Sequence, residues 1–600
     1  MTALAAFALD DEHLLVVGGG RRWRVAVSVG DEPTRAARYA CAAIRDDATF
    51  TDAPAMPGDT VLSSLSELMV LARTRDQVAA GQTASPARQP VRWSFGGFTY
   101  RLALPINGAV ALAQTVTECL LATIADAQEA RALVGTPLYI EQSAPSQREL
   151  PVAEQAHPPP PGVLLRWDRG DWRKHTISPP PLVDPVTGIL HRITRRPPHP
   201  GAPRLFEHLH AEVPFLSSVD ARNQPDLLAP AAGFTDGPES PEECAILSGI
   251  AHVCGADLGQ GVRRWASAEE LSREGHRVLT VAHWAPHDPT LHDESGFPFV
   301  RDTPELAQWW LLGHDNAGPR WAPLSLVHAG YRARDPARTP ATHANNLVGL
   351  QAGRTLHDAL DRAASHLIAQ DAVARWWANP TRLEAAALPS LIRSAVDASP
   401  WRVTLLHLHA AVPVPVRLAV IDDLDDSVIA LGYGCASTAD EAGLRAIGEA
   451  LIQHASARDL ASPASLIRDS DRLGNGAVAG LGAFDADRRY ASRVFADRRA
   501  LIDPMCHVQY GLSPEVVAQT RALTRAVPSG AAPVAQDATL APFDALEAAR
   551  IDVTRVDVTT DRVRAAGAFA VRLLAPTLRR LSLGAFPDAH LRKAPPYPGW

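Results

Sequence analysis

The sequence predicts an α/β (α+β) fold in two parts, a large domain of mixed sheets and helices preceded by a small α/β domain. Three observations carry this. The chain has 600 residues, more than one core holds when a domain takes about 150 residues. Strand-like runs such as WRVTLLHLHA and VRLAVID alternate with helical patterns such as LHDALDRAASHLIAQDAVARWW and EAGLRAIGEALIQHASA, the alternation that layers helices on sheets. Between the two parts PVAEQAHPPPPG, at 151 to 162, breaks every periodic pattern with consecutive prolines and reads as a stiff linker.

In order along the chain, residues 1–150 alternate short apolar runs with helical patterns and end in ALAQTVTECLLATIADAQEARALV, a long amphipathic helix by its spacing. Early in this part LLVVGGG invites a nucleotide-binding reading. After Gly18 and Gly20, however, the third glycine position of G-x-G-x-x-G is Trp23, so the stretch reads as a strand ending in a flexible turn. Residues 163–600 form the large domain, with VPSGAAPVAQDATLAP as a surface loop inside it. No short-period repeat is evident.

Composition bounds the function. Hydrophobic residues make up 46% and charged ones 21% of the chain, the balance of a globular protein. With 58 basic against 66 acidic side chains the net charge is -8, which gives no support to nucleic-acid binding. The start, MTALAAFALDDEHLLVVGGG, carries early acids, no basic leader and only short apolar runs, so neither a secretory signal nor a membrane span is expected and a cytoplasmic location is. Six cysteines, Cys41, Cys119, Cys244, Cys254, Cys435 and Cys506, lie far apart with no C-x-x-C pair, which argues against a disulfide framework and a cysteine-based zinc site. Two H-x-H pairs, His208/His210 and His407/His409, have strand spacing for metal ligands. Among 22 histidines, satisfied core or surface side chains are the plainer expectation. No G-x-S-x-G and no recognised catalytic cysteine signature is present, so hydrolase chemistry has little footing and no catalytic residue is assigned.

Five blocks in a fixed order carry a resemblance. They are LVDPVTGILHRI; LAQWWLLGHDNAGPRWAPLSLVHAGY; NLVGLQAGRTLHDAL, which starts at Asn346; GYGCASTADEAGLRAIGEALIQ; and IDVTRVDVTTDRVRAAGAFAVRLLAPTLRRLSLG, which contains Arg572. Over most of residues 180 to 600 the chain resembles the YcaO superfamily, whose best-known members are ATP-dependent, azoline-forming cyclodehydratases of thiazole/oxazole-modified peptide biosynthesis. The resemblance implies a YcaO-type large domain in which glutamates on three helices bind the magnesium ions that bridge the phosphates of ATP. A triphosphate carries about four negative charges, and carboxylates are the hard ligands that fix Mg²⁺ against it.

Tested against this sequence, those glutamates are mostly missing. The first motif, S-x-x-x-E-x-x-E-R, falls on Cys244, Ser248, Ala251 and His252. At about 100° per residue, Cys244, Ser248, Ala251 and Gly255 line a narrow small-residue face suited to close packing. The second, E-x-x-E-R-D-A, falls on His366, Ala369, Gln370, Asp371 and Ala372. Asp371 lies within the apolar stripe of Leu360, Ala364, Leu367 and Ile368, with His366, Gln370 and Trp377 along one flank. A carboxylate so placed needs hydrogen bonds or a cation, which suggests a structural partner. The third, S-x6-E-x-x-x-Q-x-x-x-R, keeps Glu449 and Gln453 but has Ala442 and Ala457 for the serine and arginine, with Arg458 one residue late. Glu449 and Gln453 lie opposite Leu444, Ile447 and Leu451 on the wheel, so a solvated face is an equal alternative.

The positions of the family's ATP site are therefore Ser248, His252, Asn346, His366, Gln370, Asp371, Glu449 and Gln453, mostly substituted, with no metal-ligand set. The expectation is a degenerate domain with no cofactor, working in peptide biosynthesis by binding a precursor peptide or a second, catalytic peptide-modifying protein, in a homo- or hetero-oligomer. Residues 1–150 are a candidate docking module. The alternative is an active cyclodehydratase using ATP and Mg²⁺. The ending HLRKAPPYPGW keeps the proline-rich flavour of azoline-forming members, whose tails reach toward the active site. A tail docked on the surface through Tyr597 and Trp600 is the other reading.

Overall fold

The computed structural model describes residues 179–599 apart from 185–187, 191, 198–200, 214–226, 258–260, 281–286, 330, 332–340, 345, 425–426, 469–479 and 528–539; for 227–228, and before residue 179, it describes only the backbone of strands. The helix expected before residue 150, the linker at 151–161, Cys41, Cys119, Trp600 and most of the 527–542 loop lie outside the described residues. The chain divides into two compact units, the first formed by 1–150, 156–192 and 214–225, the second by 151–155, 193–213 and 226–600.

In the first unit β1 (Leu4–Asp10), β2 (His13–Gly18) and β3 (Arg21–Ala26) form an antiparallel sheet. The stretch LLVVG is thus the strand the sequence predicts. A five-stranded antiparallel sheet follows, in chain order: β4 (Gln89–Phe95), β5 (Phe98–Leu104), β6 (Leu138–Gln142), β7 (Gly162–Asp168) and β8 (Asp171–Ile177). Because β7 pairs with β6, this unit continues past the proline cluster.

The second unit holds three sheets. β9 (Arg192–Arg196), β10 (Phe206–Val213) and β11 (Leu227–Phe234) make one, and β16 (Arg402–Leu408), β17 (Val416–Asp423) and β18 (Val428–Cys435) another. The third has six strands in the order β12 (Arg263–Ala266), β13 (Gln308–Asp315), β19 (Thr554–Asp557), β20 (Phe569–Leu574), β15 (Leu350–Gly353), with β14 (Gly318–Pro323) on the other side of β13.

Three helices tie these sheets together. Each starts at a hydroxyl N-cap: Ser240 for α1 (Pro241–Ala256), Thr355 for α2 (Leu356–Ala378) and Thr438 for α3 (Ala439–Ala461). Helix α2 packs Leu367, Ile368, Val373 and Trp377 into one core shared by Leu418 and Leu431 of the β16–β18 sheet and Val571 and Leu573 of β20. It is therefore buried on most sides from Ala359 to Trp377, more than the single apolar stripe read from its sequence. A sheet lies on either side of it, and its many alanines make that approach possible.

The opposite face of the β16–β18 sheet, with Leu405, Ala419 and Ile421, packs on Leu444, Ile447 and Leu451 of α3 and on Phe206 and Phe234 of β10 and β11. Here the backbones touch: a Cβ on Gly432 would stand 2.2 Å from Ala450 N, and one on Gly434 2.5 Å from Ala442 O. Only glycine permits α3 to sit that close to β18. No helix among the described residues is long and apolar enough to cross a membrane.

Candidate functional site

The predicted site positions fall on all three helices, and their side chains are largely engaged. On α1, Ser248 Oγ donates to Pro230 O at 3.1 Å. His252 Nδ1 lies 2.9 Å from Ser248 O. Burial lowers its pKa, so the neutral ring donates to that carbonyl. Ala251 is buried, and Gly255 abuts Leu350, whose Cδ2 would lie 2.4 Å from an added Cβ. The small-residue face thus serves close packing, as the sequence suggests.

On α2, Gln351 Nε2 donates to His366 Nδ1 at 3.1 Å. Burial, with a smaller contribution from the Arg572 charge, pushes His366 down to about 4. Gln370, one turn on, donates from Nε2 to Tyr433 Oη at 3.2 Å, while its Oε1 is sealed and has no hydrogen-bond partner. Asp371 is 0% exposed and accepts Arg375 Nε at 2.8 Å and Arg579 N at 2.7 Å. It has the structural partners its place in the apolar stripe demanded.

On α3, Glu449 is half-buried, and burial pushes its carboxyl up to about 7. Gln453 Nε2 donates to Glu449 Oε1 at 3.5 Å; Gln453 Oε1 has no partner. The solvated-face alternative is overturned for Gln453, which is buried: α3 carries β18 on one side and a further helix, α4 (Pro504–Gly511), beside it. Arg458 turns to Asp423 Oδ2 at 2.7 Å.

Two tyrosines join this group, and sequence reasoning missed one of them. Tyr433, in the GYGC stretch of β18, bonds Gln370 and feels the Glu449 charge. Tyr597, in the C-terminal segment, feels the charges of both Tyr433 and Glu449, and burial raises both phenols. Tyr597 is 3% exposed, so the surface-docked reading of the tail is overturned. Trp377 Nε1 donates to Pro595 O at 2.7 Å, and His507 Nδ1 lies 2.8 Å from Tyr597 O. Pro595, Pro596 and Pro598 give the tail a stiff extended shape.

Asn346 stands elsewhere. Its carbonyl and Oδ1 accept Arg572 Nη2 at 3.0 and 3.1 Å, while Arg572 Nε donates to Leu326 O at 3.0 Å. The first H-x-H pair is self-satisfied. Arg196 Nε donates to His210 Nδ1 at 3.3 Å, which puts the His210 proton on Nε2, 3.0 Å from His208 Nε2. Burial pushes the two rings down to about 4 for His208 and about 3 for His210. Of the second pair, His407 is half-buried in β16 and His409 is exposed beyond it. Cys244, Cys254, Cys435 and Cys506 are free thiols.

Magnesium and ATP, which the resemblance implies, do not fit these residues. Ser248, Ala251, His366 and Ala369 supply no carboxylate, leaving Glu449 and an Asp371 already engaged with Arg375 and Arg579. Among the described residues no group of three or more His, Cys, Asp or Glu is placed to hold a metal.

Layered sheets held by three capped helices define the class as a mixed α/β domain. The chain belongs to the YcaO family, described as YcaO cyclodehydratase, ATP- and Mg²⁺-binding: the family model matches residues 242–579, more than half of its length. Among solved structures it is similar to a heterocyclase in complex with substrate and cofactor, at 12% identity over 96% of this chain and 94% of that one, TM-score 0.49. It is also similar to YcaO from Methanopyrus kandleri bound with AMPPCP and Mg²⁺, at 13% identity over 65% and 86%, TM-score 0.39. A third is the E. coli microcin synthetase McbBCD complex, at 10% identity over 68% and 96%, TM-score 0.43. No curated protein matches the chain.

Proposed function

We propose that this chain is a degenerate YcaO protein that acts in the biosynthesis of a ribosomally made, azol(in)e-modified peptide by binding the precursor peptide or a catalytic partner, without turning over ATP. One observation supports this most. Four positions where the family places carboxylates hold Ser248, Ala251, His366 and Ala369, and both polar ones are engaged with Pro230 and Gln351. One remaining glutamate, with Asp371 held by Arg375 and Arg579, leaves a triphosphate's charge without its metal cage. The reading places the protein in the cytoplasm as part of a homo- or hetero-oligomer, with residues 1–150 as the docking module.

Titration calorimetry of the full chain with Mg-ATP tests it. No heat of binding is expected, and tight binding overturns the proposal. The second reading, an active cyclodehydratase, is favoured by the partial exposure that Glu449 retains. It requires ATP turnover stimulated by a precursor peptide and abolished in Glu449→Ala.

A further inference from the structure

Arg572 is a buried charge that the fold leaves without a counter-charge. It is 1% exposed, and strand alternation turns it away from the α2 core that takes its neighbours Val571 and Leu573. Burial, then the Arg580 charge, pull its pKa down to about 9, which leaves the guanidinium charged at neutral pH. Its Nε and Nη2 donate to Leu326 O, Asn346 O and Asn346 Oδ1. The remaining arm, Nη1, is sealed from solvent and has no hydrogen-bond partner.

The surroundings do not neutralise it. Arg580, the charge that shifts it, is a second cation and is itself paired with Asp588 at 3.1 Å. His328, His343 and His366 feel the Arg572 charge and are each pushed down to about 4, burial first, so they stay neutral. A guanidinium donates through five N–H groups and accepts through none. Donors therefore remain in excess at Nη1 whatever tautomers the neighbouring rings take.

We propose that the Nη1 arm of Arg572, beneath the segment that carries Asn346, binds a small monovalent anion of the halide class, chloride being the physiological one. Both arms lie in one planar fork, so Nη1 stands beside Asn346. There the Oδ1 is held by Arg572 Nη2 and by the Val348 N–H at 3.2 Å, which leaves Nδ2 a donor with no partner among the described residues. One cation calls for one negative charge, whereas phosphate or sulfate brings more charge and more acceptors than a single arm meets. Water satisfies the N–H groups but not the charge, and a buried charge is costly until it is paired. Asn346 is half-buried and Leu347 is 41% exposed, so local opening of this segment gives the ion its way in. The inference does not depend on whether the cleft binds ATP.

The test is thermal unfolding of the full chain at constant ionic strength while sodium gluconate, too bulky for the arm, is exchanged for sodium chloride, in the wild type, Arg572→Met and Asn346→Asp. The wild-type midpoint is expected to rise, saturably, by about 2 °C in chloride. Asn346→Asp sets a carboxylate on the guanidinium in the ion's stead; its midpoint in gluconate is expected to exceed that of the wild type and to be indifferent to chloride. Arg572→Met is expected to be indifferent to chloride as well, and if it fails to fold, Asn346→Asp carries the comparison alone. A wild-type midpoint that ignores chloride overturns the inference and gives Nη1 to a water molecule. A chloride effect that persists in Asn346→Asp overturns it as a general effect of salt. Bromide supplies a direct readout: in crystals grown in bromide an anomalous scattering peak is expected in contact with Arg572 Nη1, and its absence there overturns the proposal.

Discussion

The Tyr597 ring stands edge-on to Trp377, with centroids 5.1 Å apart and planes at 84°, and both residues belong to one core cluster. The C-terminal segment is thus part of the interior. Tyr597→Ala, which empties a buried aromatic site, is expected to cost about 3 kcal/mol. Tyr597→Phe keeps the ring and loses only a hydroxyl that has no partner among the described residues, so it changes stability by less than about 1 kcal/mol. Urea unfolding of both variants checks this. A Phe variant as damaged as the Ala variant would show that the hydroxyl, and not the ring, fixes the tail.

Asp371 holds a second long-range tie, from α2 to the backbone of Arg579. Asp371→Ala leaves that N–H unmatched in the core and removes the partner of Arg375. The Arg375 side chain is 42% exposed and recovers much of its solvation, so the expected loss is about 2 to 3 kcal/mol. Asp371→Asn keeps one acceptor and is expected to lose about half as much. Chemical denaturation separates the two. Unchanged stability in Asp371→Ala would remove the structural role assigned to this carboxylate.

How much of this was legible in the sequence varies by element. Helices α2 and α3 and strands β16 and β17 were plain, because periodic apolar spacing acts locally. The burial of α2 on most sides was not: its alanines read as a weak stripe, and only the sheets on either side, contributed by segments up to two hundred residues apart, reveal their use. That Ser248, Ala251, His366 and Ala369 carry no carboxylate is a property of residue identity and is readable directly. The gathering of Gln370, Tyr433, Glu449 and Tyr597 was not, since each lies on a different element and only the chain's three-dimensional path unites them. For Tyr597 the one available signal was an aromatic set among prolines, which suits a buried tail and a surface tail alike.

Arg572 is 1% exposed and, among the described residues, bonds only neutral acceptors, the carbonyls of Leu326 and Asn346 and the Asn346 side chain. Burial, and next the nearby Arg580 charge, pull its pKa down. Lysine presents a point charge in place of a planar fork and cannot reach acceptors on both sides. Arg572→Lys is expected to destabilise by about 2 to 4 kcal/mol, read as a lower urea midpoint with an unchanged slope. Stability within about 0.5 kcal/mol of the wild type would mean that the loop carrying Asn346 is held by other contacts.

Glu449 gives stability a pH dependence of defined sign. Burial raises its carboxyl from 4.5 to about 7 in the folded chain, so between those values the folded state binds more protons than the unfolded one. Stability contributed by the protonated form is complete below about 4.5 and is lost as the pH climbs through about 7, after which it levels. Allowing for the partial exposure of the side chain, the loss amounts to about 1 to 2 kcal/mol. Glu449→Gln removes the titrating group and is expected to be the more stable protein at alkaline pH and to lack this component of the slope. Urea melts at about pH 5 and about pH 8 compare the two directly. Parallel pH profiles for wild type and variant would show that the carboxylate is solvated.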